Sequence, residues 1–441
     1  MDSKMSTKNV FVVGFMLFAM FFGAGNLIFP PGLGFVSGEF FWLAILGFVI
    51  TGVGLPLLGV IVGSISKEGY KESLKAIHPA FAIGLLVVIY LTIGPFFAIP
   101  RTATTAYEMS IIPFLDSPGG ISLFIFSLLF FVVVFALSWR PGSIVDSIGK
   151  ILTPLLLITI ALLVVTAIVM YITNPVNPAG EGFNTEAPFS AGFTEGYLTM
   201  DAIAAIAFSV IVLNAIRGTG VKGRKALLFG TIKSASLAAL LLGLVYVSLG
   251  WLGNRVDLGG TAPDEQNLGT FLLTYISADA YGGFGAILLG LIVLLACLTT
   301  ATGLIVAVSE YFNSIIPRIT YRVFVVIFTL ISFGLANQGL DQVITTSVPV
   351  LSIIYPIAMA SVLLLIVSYF VPTPRLAMQI PIVLIIITSI LAVVHRNGWV
   401  EMAFLEALPL FNASFEWIPL LIIGYVIGYL IGMKKPKVQY T

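Results

Sequence analysis

The chain has 441 residues, 59% of them hydrophobic and 9% charged, with a mean hydropathy of +1.10. That composition excludes a soluble globular domain and points to a polytopic, all-α membrane protein. A net charge of +1 with no basic patch outside short loops gives no footing for nucleic acid, and one cysteine, Cys297, excludes an internal disulfide framework.

Apolar runs separated by polar or Pro/Gly breaks predict twelve spans. They lie at about 9–35, 39–64, 80–110, 119–138, 150–173, 195–216, 226–252, 283–312, 322–338, 341–370, 380–396 and 416–433. The basic N-terminus is followed by no small-residue cleavage site, so the first span reads as a retained helix rather than a signal peptide. With the N-terminus inside, most Lys and Arg residues fall on the inner side. Only Arg255 and Arg396 lie outside, and Arg101 and Lys233 fall within spans. The alternation predicts cytoplasmic N- and C-termini, and one transmembrane domain over residues 1–441.

The first span carries FAMFFGAGNLIFPPGLG at 18–34, with Gly23, Gly25, Pro30, Pro31 and the amide Asn26 where an unbroken helix would be expected. Backbone groups in lipid must be satisfied within the protein, so a helix breaks there only where it is sheltered or lines a cavity. Broken membrane helices build substrate and ion sites in secondary transporters. Gly23, Ala24 and Gly25 would open the outer half-helix, whose positive end suits a carboxylate. Asn26 would ligate a second cation or brace the break.

The third span contains RTATTAYE at 101–108, and the eighth contains CLTTATGL at 297–304. These threonine clusters lie five spans apart, an odd number, which suggests two halves of opposite orientation. The first repeat would cover about 9–173, the inverted repeat about 195–370, and two extra helices about 380–433. In the eighth span, Ala296, Thr299 and Thr300 share one helical face. A carbonyl and two hydroxyls there suit a small hard cation such as Na⁺, with the remaining ligands being carbonyls of Ala19 and Phe22. The competing account is ordinary: membrane Ser and Thr often bond their own preceding turn or sit at helix contacts.

The sixth span holds Asp201 among apolar neighbours, near its outer end. An acid inside a span is a functional candidate, and a wetted vestibule acid is the plainer account. Asp201 would neutralise Arg101 of the third span. Tyr107, Phe208 and Ser209 are candidates for the pocket wall. His78 and His395 lie near span ends, which argues against a buried histidine relay. Glu310 ends the eighth span as a solvated or gating charge, and Asn337 and Asp341 make a tight outer turn.

The combination of GAGNLIFPP (23–31), AIPRTATTAYE (98–108), EGYLTMDAIAAIAFSVIV (195–212) and LACLTTATG (295–303) resembles the branched-chain amino acid:cation symporter family, and the resemblance covers essentially the whole chain. It implies uptake of leucine, isoleucine and valine driven by Na⁺, or alternatively by H⁺, across a bacterial plasma membrane. It also implies the LeuT-like fold, with five-plus-five inverted repeats and discontinuous first and sixth helices. One Na⁺ site of that fold would then be Ala19, Phe22, Ala296, Thr299 and Thr300, and Asn26 would belong to another. The substrate carboxylate would meet the Gly23–Gly25 backbone, and its amine would meet carbonyls of a sixth-helix break near Ala204, Ala205 and Ala207. This sixth span has no central glycine. Some relatives of the fold replace Na⁺ with a lysine in the middle of the fifth helix, whereas Lys150 lies at the inner end of that span. No cofactor beyond the coupling ion and no obligatory protein partner is expected. A membrane enzyme would need an acid, histidine or reactive-cysteine cluster that this pattern lacks, and a passive channel would give no uphill transport.

Overall fold

The computed structural model describes residues 5–66, 69–139, 143–180, 183, 187–259, 266–433 and 437–438; the side chains of 143–153, 156 and 437–438 are outside that description. Several basic positions used to orient the spans, among them Lys4, Lys67, Arg140 and Lys434, lie outside the described residues, as does the side chain of Lys150.

The described chain is helical almost throughout. The first predicted span is two helices, α1 (Thr7–Phe21) and α2 (Ala24–Ser37). The second comprises α3 (Phe41–Val49), a π-helical segment at Ile50–Gly54, and α4 (Leu55–Gly63). After the short α5 (Tyr70–Ser73), the third comprises α6 (Pro79–Leu91), a π-helical kink at Thr92–Phe96 centred on Gly94 and Pro95, and α7 (Ala98–Ser110). Then come α8 (Gly120–Ser138) and α9 (Ser143–Tyr171). The sixth span begins earlier than its apolar run suggests, with α10 (Pro188–Glu195) and a 3-10 turn at Gly196–Thr199 before α11 (Asp201–Gly218). Next are α12 (Arg224–Arg255) and α13 (Leu268–Ile315). The latter bends at Gly282, which takes φ +63°, so a helical stretch not expected from hydropathy precedes the eighth span. The series ends with α14 (Tyr321–Ala336), α15 (Leu340–Phe370), α16 (Arg375–Arg396) and α17 (Trp417–Gly432). Among the described residues, eight helical stretches are long and apolar enough to cross a membrane.

One continuous apolar core joins these helices. Helix α2 lies within it, clasped by α12 and the start of α13. The clasp depends on glycine. A Cβ on Gly34 would stand 1.8 Å from the Gly250 carbonyl oxygen, one on Gly253 2.0 Å from that of Pro31, and one on Gly269 1.9 Å from that of Ile28. Such close backbone approach is how membrane helices gain packing energy where lipid supplies no hydrophobic drive. The outer surface is apolar: Ile121, Leu129 and Val132 of α8 are 81%, 62% and 56% exposed. A surface of this kind belongs in lipid rather than water.

Candidate functional site

The first helix breaks at two residues. Phe22 is extended (φ −72°, ψ 95°), and Gly23 (φ −124°, ψ −166°) is the N-cap of α2. Pro30 and Pro31 do not break the chain; both lie inside α2. The Gly23 N–H donates to the Asn26 side-chain oxygen at 3.0 Å, so the amide braces its own break. Gly25 is required for another reason: a Cβ there would stand 2.7 Å from Nη2 of Arg101.

The sixth helix breaks just ahead of Asp201, which corrects the position near Ala204, Ala205 and Ala207 that the resemblance implies. The 3-10 turn ends at Met200, which is left-handed (φ 63°, ψ 6°), and α11 begins at Asp201. A non-glycine residue in that conformation costs about 1–2 kcal/mol, so surrounding packing must impose it. Ala204, Ala205 and Ala207 are interior residues of a regular helix. The Ala204 N–H is bonded to the Met200 carbonyl at 2.9 Å, and Ala205 packs on Gly59 of α4. Helix propensity explains the difference, because alanine is the best helix former and gives the chain no reason to unwind.

The two breaks meet. The Asn26 amide donates to Oδ2 of Asp201 at 2.6 Å and to the Tyr246 hydroxyl, and that hydroxyl donates to the same Oδ2 at 2.8 Å. Asn26, Asp201 and Tyr246 are 2%, 3% and 0% exposed, so Asp201 is not a wetted vestibule acid. Arg101, 4% exposed, donates through Nη1 to the Leu198 carbonyl and through Nη2 to the Thr199 carbonyl at 3.4 Å. Its guanidinium lies over the Phe29 ring, 5.3 Å from the centroid. Arg101 and Asp201 therefore flank the same break but form no direct ion pair; the arginine takes the carbonyls that the break frees.

On α13, Thr299 Oγ1 donates to the Ala296 carbonyl at 2.8 Å, and a Cβ on Gly23 would stand 3.7 Å from the Thr300 methyl group. Thr300 therefore adjoins the first-helix break. Ala19, Gly23, Ala296, Thr299 and Thr300 are half-buried, whereas Phe22 is fully buried and Gly303, one turn beyond Thr299, is exposed. Accessible positions thus follow one side of α13 down to the exposed Glu310. Ala24 is buried in the first turn of α2.

The expected wall residues divide. Phe208 faces the first helix, its ring 6.1 Å from that of Phe21. Ser209 turns the other way, bonding the Ile206 carbonyl at 2.9 Å and packing on Gly63. Tyr107 turns toward α8, where its hydroxyl is 2.6 Å from that of Ser122, and it lines a separate cavity of about 200 Å³ with Glu108 and Asp341. Both turn away because α7 and α11 each present several faces to neighbours, and a spacing argument does not say which face meets the break. Tyr246, Leu198 and Thr199 carry no sequence signal: one is a tyrosine within an apolar helix, and the others act through backbone carbonyls.

Comparison with known proteins agrees with this architecture. Residues 6–435 match the family model described as branched-chain amino acid transport protein. A protein of Staphylococcus saprophyticus named as a branched-chain amino acid carrier is 52% identical over 98% of each chain. One of Staphylococcus haemolyticus with the same description is 54% identical over 96% of each. Among solved structures, the nucleobase-cation-symport-1 family transporter Mhp1 aligns over 96% of this chain and 91% of its own, with a TM-score of 0.63 and 14% identity. MhsT in complex with L-phenylalanine aligns over 98% and 99%, with a TM-score of 0.58 and 14% identity. At that identity the structural likeness establishes the fold alone, which is LeuT-like. With two broken helices meeting at its centre and relatives of this similarity along its length, the chain belongs to the branched-chain amino acid transport protein family, whose members are carriers and not enzymes.

Proposed function

We propose that the protein is a secondary active transporter that moves leucine, isoleucine and valine into the cell together with Na⁺ by alternating access. The observation that carries this reading is the juxtaposition of α13 with the first-helix break. Thr300 lies against Gly23, and beside it the Thr299 hydroxyl donates to the Ala296 carbonyl at 2.8 Å, a bond to its own preceding turn that it would give up to a cation. With the carbonyls of Ala19 and Phe22, these groups would make up an all-oxygen set suited to a hard monovalent cation. In this reading Na⁺ stiffens the break, the α2 N-terminus receives the substrate carboxylate, and an apolar wall that includes Phe208 receives the branched side chain. Each positive charge moved inward gains about 2.3 kcal/mol per 100 mV of membrane potential. The reading also takes the twelve spans, the cytoplasmic termini and a bacterial plasma membrane as the setting.

Proton coupling is the second reading, and a specific observation favours it: Asp201 is a buried carboxylate at the sixth-helix break, hydrogen-bonded to Asn26 of the first. The deciding experiment is radiolabelled leucine uptake into proteoliposomes under an inward Na⁺ gradient, with choline replacing Na⁺, and under a proton gradient alone. Uphill uptake that requires Na⁺ and is competed by isoleucine and valine is the expected result. Uptake driven by protons alone would transfer the coupling role to Asp201. Thr300→Ala should lower Na⁺ affinity while leaving the folded yield unchanged, and an unaltered Na⁺ dependence in that variant would remove the ion site from α13.

A further inference from the structure

We infer that Arg101 is the residue that recognises the substrate carboxylate, and so distinguishes an amino acid from an amine of the same shape. The inference rests on the proposed transport of branched-chain amino acids and adds to it a specificity-determining side chain.

Arg101 is 4% exposed in the first turn of α7, and among the described residues no carboxylate forms an ion pair with it. Its nearest acidic neighbour in the break, Asp201, is engaged by Asn26 and Tyr246 instead. Two of its nitrogens are held by backbone carbonyls of Leu198 and Thr199, which are neutral acceptors. The third, Nε, is buried with no partner. A cation in a membrane interior with one donor unused is costly, and an anion that completed its hydrogen bonds would relieve that cost.

The position of the guanidinium identifies the anion. Its Nη2 and Cζ lie 2.7 and 3.0 Å from where a Cβ on Gly25 would stand, so it is pressed against the first turn of α2. That turn presents backbone N–H groups and the positive end of a 14-residue helix. A guanidinium fork and a helix N-terminus converge there, and a planar monoanion such as a carboxylate fits both, since arginine binds carboxylates through two parallel N–H donors. As Arg101 turns toward the carboxylate, the Leu198 and Thr199 carbonyls become available to the substrate ammonium. In the state described here Arg101 occupies those carbonyls, so one side chain would exchange partners as the zwitterion enters.

The test is equilibrium binding to the purified full-length protein, with leucine and leucinamide as probes. Leucinamide keeps the ammonium and the side chain but has no carboxylate. The wild-type protein should bind leucine about 100-fold more tightly than leucinamide, within the range for losing one partner of a buried charge pair. Arg101→Gln should weaken leucine about 100-fold and leave leucinamide within about threefold of its wild-type value. Equal weakening of both ligands, or unchanged leucine affinity, would overturn the assignment and leave Arg101 as a structural brace. If Arg101→Gln does not yield folded protein, Arg101→Lys applies the same criterion: it keeps the charge but loses the fork. That variant should lose about tenfold in leucine affinity and less in leucinamide, and equal losses would again overturn the inference. A folded wild-type protein that binds no branched-chain amino acid would reject the transport reading itself, a failure distinct from both.

Discussion

Asn26 shows how much a single amide can hold. Its oxygen takes the Gly23 N–H, and its nitrogen serves Asp201 and Tyr246, so one side chain ties the first-helix break to the sixth. Asn26→Ala would strand a half-buried backbone donor and take a partner from a buried carboxylate. Each such loss costs about 1–3 kcal/mol, and more where charge is involved. We expect a fall of several degrees in the apparent melting temperature of the detergent-purified protein, read by scanning fluorimetry. Tyr246→Phe keeps the edge contact with Phe48, whose ring is 5.3 Å away, and removes only the hydroxyl. Its fall should be smaller than that of Asn26→Ala, and a larger one would show that Tyr246 rather than Asn26 is the keystone. The importance of Asn26 was legible in the sequence, because an amide in an apolar run needs hydrogen-bond partners, and the glycine pair directly before it frees backbone groups to supply them. Its partner Tyr246 was not, since hydropathy does not distinguish a tyrosine that packs from one that donates.

At the scale of elements, the break positions follow from packing as much as from local propensity. Glycine marks the first break. The sixth has no glycine at the point of reversal, and Met200 is held left-handed instead. The turn before it is seated on the π-helical segment of the second span, where a Cβ on Gly196 would stand 2.7 Å from that of Thr51. The seating of α2 gives a direct test. Gly34→Ala would drive a methyl group into the Gly250 carbonyl, a backbone atom that cannot rotate away. Loss of the monodisperse peak in size-exclusion chromatography is expected. Gly243→Ala, with nothing within 4 Å of the added carbon, is the matched control. It should elute as wild type and gain up to about 1 kcal/mol of helix propensity. A Gly34→Ala protein indistinguishable from that control would mean that α2 and α12 are not in backbone contact.

For the whole molecule, the prediction concerns sidedness. In the orientation proposed from the distribution of Lys and Arg, both termini are cytoplasmic. Single cysteines at the exposed positions Lys8 and Glu310 should therefore react with a membrane-impermeant maleimide only in inverted vesicles, and one at the exposed Asp257 should react in intact cells. The native Cys297 is buried and contributes little background. Labelling of Lys8→Cys and Asp257→Cys from the same side would change the parity of the spans between them and overturn the proposed inverted relation of the two halves.

Apolar length and the glycine pair suffice to specify a multi-span helical membrane protein with a broken first helix, because lipid imposes the same demands on every segment regardless of its neighbours. The Ala296, Thr299 and Thr300 stripe is likewise legible, being a matter of spacing along one helix. The tertiary structure alone decides the point of reversal in the sixth helix, the partners of Asp201, and the capture of the Leu198 and Thr199 carbonyls by Arg101. Those depend on which faces of separate helices meet, and periodicity within one helix carries no information about the helix it will touch.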